Sequence, residues 1–174
     1  MLRASVVGRR AASTLALAAR TERLLAAKAA SGKSFDQLAS DLGTTNTYAA
    51  QLLLGQAKLT DATASKLKEA LPGLDDADLR SMGTCPDRSY DPFVFQDPVA
   101  YRLKEAVCHN ARSIKMIINE QCGDGIMSAI DMYLDVGTVK GRQGERRVVV
   151  TMNGKFLPFV EQRAEDNSCP APHE

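Results

Sequence analysis

The sequence predicts a mainly α protein with a small α+β part: a helix-turn-helix-like bundle of five helices, then a long helix and a small antiparallel sheet. Three observations predict it. Residues 21–84 hold short apolar segments punctuated by Gly, Ser, Thr and Asp; residues 85–97 form a linker with little periodicity; beyond it an amphipathic run passes into strictly alternating residues. The partition is a basic segment at 1–20, the bundle at 21–84, the linker, a second domain at 98–160 and a tail at 161–174.

The five bundle helices read as "TERLLAAKAASG", "SFDQLASDLG", "TTNTYAAQLLLGQ", "LTDATASKLKEALPG" and "DDADLRSMG". Most open on a side chain that can accept from the first free amides or close on a glycine past the last turn. The second and third, with the glycine turn between them, have the pattern of a DNA-binding helix-turn-helix. Electrostatics oppose that use, since DNA affinity comes largely from Lys and Arg set against phosphates. From Ser34 through Ala57 there is neither Lys nor Arg. Asn46 and Gln51 are available for base contacts, but without cations the bundle reads as a packing module.

After the linker, "DPVAYRLKEAVCHNARSIKMIINEQCG" is the longest helical signal. Asp97 suits the N-cap, Pro98 the first helical position, and Gly123 the left-handed residue past the end. Val99, Leu103, Ala106, Val107, Ile114, Ile117 and Ile118 make one apolar stripe. Such a helix is roughly 36 Å long, which sets Cys108 and Cys122 about 21 Å apart along its axis, too far to be bridged within one chain. Beside the stripe, Arg102, Glu105 and His109 fall in a second line. The plain reading of that line is an exposed ion pair. The functional one is an anion site, with Arg102 as a fixed planar cation and Glu105 orienting it or handling protons.

In "IMSAIDMYLDV" the alternation puts Ile126, Ser128, Ile130, Met132 and Leu134 on one face, so the hydroxyl of Ser128 points to the apolar side and needs a hydrogen-bond partner there. The partner is either a neighbouring backbone group or a ligand. "RRVVVTM" and "KFLPF" read as two strands joined by an Asn153-Gly154 hairpin turn. A domain of about 65 residues has a meagre core of its own, which favours association with another copy.

Several chemistries lack their parts. There is no glycine-rich phosphate loop, no HExxH, no triad around Ser128, and the four cysteines (Cys85, Cys108, Cys122, Cys169) have no metal-ligand spacing and form no disulfide framework. His109 and His173 are the only histidines. No apolar run approaches the ~20 residues a membrane helix needs. Arg, Glu and Ser remain as carriers of chemistry.

"DPVAYRLKEAV" followed by "INEQCGDGIMSAIDM" closely resembles the catalytic domain of the cyanase (cyanate hydratase, cyanate lyase) family; "SFDQLASDLG" and "LLLGQ" resemble that family's N-terminal bundle and "NGKFLP" its terminal hairpin. The resemblance implies a bicarbonate-dependent decomposition of cyanate to ammonia and carbon dioxide by way of carbamate. It implies no metal or organic cofactor, with bicarbonate as co-substrate. By position it assigns Arg102, Glu105 and Ser128 as the catalytic set. It also implies a bundle that does not bind nucleic acid, an intertwined dimer, and a decamer of five dimers with active sites between subunits. The chain departs from the family pattern at "HNARS", at Cys122 and at Met132, positions that bear on packing around the site more than on its charges.

Formal net charge is +1, from 22 basic and 21 acidic side chains. Residues 1–20 hold four of the arginines and no acid, so the remainder carries 18 basic against 21 acidic side chains. An Arg-, Ser- and Ala-rich start without acids is the composition of a mitochondrial presequence. In the family the resemblance points to, the bundle already begins within about the first twenty residues, which favours the cytoplasm instead.

Overall fold

The computed structural model describes the backbone of residues 2–88 and 91–167 and the side chains from residue 15 onward. Arg3, Arg9 and Arg10 of the basic segment, Cys169, His173 and the end of the tail therefore lie outside the described residues or side chains. The chain divides into two compact units, residues 1–90 with 133–152 and residues 91–132 with 153–174.

The first unit holds five helices: α1 (Leu2–Ala30), α2 (Phe35–Leu42), α3 (Asn46–Leu53), α4 (Asp61–Ala70) and α5 (Asp76–Met82). Where the sequence suggests a first helix from Thr21, α1 runs unbroken over 29 residues and crosses the expected boundary at residue 20. The starts of the others follow their capping residues. Ser34 and Gln37 exchange hydrogen bonds in a capping box at α2, and Thr45, Thr60 and Asp75 accept from the first turns of α3, α4 and α5. The apolar faces meet in one core that includes Leu24, Leu38, Leu52, Leu53, Leu67 and Leu71, each nearly or wholly shielded from solvent. One charged side chain sits among them: Asp78, 6% exposed, which accepts from Arg23 Nε at 2.9 Å and Arg23 Nη2 at 2.6 Å.

The second unit begins with a short 3-10 turn at Pro92–Gln96, in the stretch that reads as a linker, and continues into α6 (Pro98–Cys122), a helix of 25 residues. Asp97 accepts from the amides of Val99 and Ala100 and Pro98 occupies the first turn, as the sequence suggests. Gly123 has φ +91° and ψ −166°. The positive φ is as expected, but ψ is extended rather than left-handed helical, a region open in practice only to glycine. That geometry turns the helix directly into a strand.

Two strands, β1 (Gly125–Lys140) and β2 (Arg146–Pro158), form a two-stranded antiparallel sheet. The expected Asn153-Gly154 turn is wrong: both residues lie inside β2, and the hairpin closes at residues 141–145, where the Gly141 amide donates to the Glu145 carbonyl and Gly144 has φ +83°. Gly154 has no positive φ. Its lack of a side chain serves close approach instead, since a Cβ there would lie 2.4 Å from Met127 Cγ and 2.5 Å from the Ser128 carbonyl oxygen. The dipeptide signal misled because a glycine needed for approach looks the same in sequence as one needed for a turn.

The expected apolar face of β1 is also only partly realised. Ser128 is buried and Met132 and Leu134 are half-covered, but Ile126 is 50% and Ile130 98% exposed. Within this stretch the Ser128 Oγ accepts the amides of Ile130 and Asp131 at 3.1 and 2.9 Å.

Candidate active site

Arg102 and Glu105 stand in the first two turns of α6, three residues apart, and the helix brings their side chains together. Arg102 Nη1 donates to Glu105 Oε2 at 2.5 Å. The Arg102 side chain is 71% exposed, so most of its donors are open to solvent, while Glu105 is more covered at 31%. The guanidinium carbon also lies 5.4 Å from the Tyr101 ring centroid. The result is a charged fork held at one corner by a carboxylate, with donors left for a small anion.

His109, one turn further on, is exposed and has no hydrogen bond or ion pair among the described residues. The i, i+3, i+7 line therefore yields one realised pair and one open imidazole.

Ser128 lies on the strand that follows the far end of α6. Of the two partners the sequence leaves open, the protein supplies one: the Ser128 oxygen accepts two backbone amides of its own strand. As the acceptor in both, the hydroxyl keeps its proton for donation. Among the described residues no hydrogen bond or ion pair joins Ser128 to Arg102 or Glu105. Twenty residues of α6 separate Arg102 from Cys122, about 30 Å of axis. Among the described residues, one chain thus bonds two of the three expected site residues to each other and gives the third no hydrogen bond to either. The Ile130 and Asp131 amides and the Tyr101 ring have no signal in the sequence pattern, since their contacts rest on the placement of single groups.

Among the described residues no group of three or more His, Cys, Asp and Glu is arranged to hold a metal ion, Cys85, Cys108 and Cys122 are free, and no helix is long and apolar enough to cross a membrane.

Two family models match adjacent parts of the chain: the cyanate hydratase N-terminal domain over residues 18–86 and the cyanate lyase C-terminal domain over residues 92–161. The cyanate hydratase of Phaeodactylum tricornutum (strain CCAP 1055/1) is 58% identical over 163 residues, covering 93% of this chain and 84% of the relative. That of Arabidopsis thaliana is 57% identical over 146 residues, 84% of this chain and 87% of the relative. A crystal structure of cyanase from T. urticae superposes with a TM-score of 0.71 at 31% identity, covering 80% of this chain and 97% of that one. With both domain models in place, relatives this similar over most of the chain and the same architecture in a solved cyanase, this chain belongs to the cyanate hydratase family of lyases.

Proposed function

We propose that this protein decomposes cyanate with bicarbonate to carbamate and carbon dioxide, the carbamate then breaking down to ammonia and a second carbon dioxide. Cyanate, bicarbonate and one proton balance carbamate plus carbon dioxide in atoms and charge. The reaction thus needs two repelling anions held together and a proton delivered between them, and no redox group. The observation that carries the reading is the Arg102–Glu105 pair, an oriented and largely open guanidinium inside the matched C-terminal domain. Arg102 offsets the repulsion and fixes both anions by its fork, while Glu105 holds the fork in place and lies within reach to move the proton. Ser128, its oxygen already bonded to two amides, contributes a hydroxyl proton to a substrate oxygen rather than acting as a nucleophile.

In this reading the active protein is an oligomer, a decamer of five dimers, in which Ser128 of one copy faces Arg102 and Glu105 of another. Two features support it. Among its described residues the second unit has no buried apolar side chain, and α6 leaves Val99, Leu103, Val107, Ile114 and Ile117 between 44 and 70% exposed, a stripe that association would cover. The helix-turn-helix is assigned no nucleic acid, a reading supported by Asn46, whose amide is spent on Asp36 and on Val136 of the same chain. No metal or organic cofactor is assigned, and the cytoplasm is the proposed compartment, with a mitochondrial location as the alternative.

Ammonia release from cyanate, measured with and without bicarbonate, tests the function. Release that requires both anions supports it, and none at any bicarbonate concentration would leave the chain a silent member of its fold.

A further inference from the structure

The helical unit carries a cleft of about 360 Å³, lined among others by Leu17, Arg20, Arg23, Asp78, Ser81 and Asp87. Its two arginines are not equivalent. Arg23 is committed, because its Nε and Nη2 take both carboxylate oxygens of the buried Asp78. Arg20 has no carboxylate bonded to it. Its Nη1 donates to the neutral Ser81 hydroxyl at 2.5 Å, and its Nε is buried with no hydrogen-bond partner. The Nε is shielded from the cleft, so the donor that an incoming acceptor meets is Nη2, which lies beside Gly55 of the lining and has no hydrogen bond among the described residues. Ser81 Oγ accepts from Arg20, which leaves its own proton for donation. Leu17 and Ala16 supply an apolar wall beside these donors. Asp87 also lines the cleft and sets a negative charge against any incoming anion.

We propose that this cleft binds a small organic carboxylate, its oxygens on the Arg20 guanidinium and the Ser81 hydroxyl and its short aliphatic part against Leu17. A planar guanidinium matches a two-oxygen acceptor better than a spherical ion, which selects carboxylate over chloride. The site stands on residues of the helical unit alone and does not depend on the reading of α6.

The intact protein carrying Arg102→Ala, which removes the cation of the proposed active site, is unfolded by heat in potassium butyrate, acetate or bicarbonate against potassium chloride of equal ionic strength. Butyrate and acetate should raise the midpoint saturably, by about 3 °C at ten times the dissociation constant, butyrate acting at lower concentration. Adding Arg20→Gln should abolish the rise, and adding Asp87→Asn should tighten binding about threefold by removing a like charge. A rise with bicarbonate alone, a rise no larger than that in chloride, or one that persists in Arg20→Gln overturns the proposal. Should Arg20→Gln not fold, unchanged butyrate affinity in both Ser81→Ala and Asp87→Asn overturns it as well.

Discussion

The side chain of Asn46 closes both backbone groups of Val136: Nδ2 donates to the Val136 carbonyl at 2.7 Å, and Oδ1 accepts the Val136 amide at 3.2 Å. The first residue of α3, where a helix-turn-helix protein would read a base, acts here as one more rung on the edge of β1. Nδ2 also donates to Asp36 Oδ1 at 2.7 Å, so both amide protons are used.

Replacing Asn46 by Asp keeps the shape and the acceptor but loses both donors, and sets a carboxylate against the Val136 carbonyl and Asp36. Asn46→Asp is therefore expected to destabilise more than Asn46→Ala, by about 2 against about 1 kcal/mol in denaturant unfolding. Faster hydrogen exchange at the Val136 amide should accompany Asn46→Ala. Equal stability of both variants and the parent would show the clasp to be without energetic weight.

At the proposed site, Arg102→Lys keeps the charge but loses the planar fork. Turnover should fall at least ~100-fold, on the order of the 3 kcal/mol attributed to one oriented donor, with the oligomer intact by size-exclusion chromatography. Glu105→Gln keeps the shape and loses the charge that holds Arg102, and a folded, nearly inactive protein is expected. Near-normal rates in either variant would reduce the pair to a surface contact worth a few tenths of a kcal/mol.

Subunit sharing can be read by mixing. Arg102→Ala and Ser128→Ala proteins, each inactive, are unfolded and refolded together so that hybrids form. If each site draws Arg102 and Ser128 from different copies, activity returns. Hybrids that form and remain inactive would place each site within one chain.

Chelation gives an independent check on the cofactor assignment. Activity should be the same before and after prolonged treatment with EDTA. A reproducible loss, restored by one added metal, would mean that a metal takes part.

Acid stability should depend on Asp78. The hydrogen bonds from Arg23, ahead of its charge, hold the Asp78 carboxyl below the ordinary carboxylate value, against the opposing effect of burial. A carboxyl whose pKa is lower folded than unfolded adds stability above its unfolded value, near 4, and loses it as pH falls through the lower folded value. Asp78→Asn should cost about 1–2 kcal/mol near neutrality, since Arg23 is half open to water, and should flatten the decline of stability below pH ~4. A decline as steep in the variant as in the parent would assign it to other carboxylates.

The starts of α2 to α5, the long helix and the Arg102–Glu105 pair were legible in the sequence because each rests on contacts two to four residues apart, where spacing alone decides which groups meet. The resemblance carried by "DPVAYRLKEAV" and "GDGIMSAIDM" added the family. What tertiary structure alone decided depends on groups far apart in the chain or on which partner one side chain takes: the hairpin at residues 141–145 instead of Asn153-Gly154, the two amides that Ser128 accepts, and the pairing of Asn46 with Val136 across 90 residues. Arg23 and Asp78, 55 residues apart, belong with these. No periodicity reports such contacts, because their geometry is set by how separate elements pack and not by any local repeat.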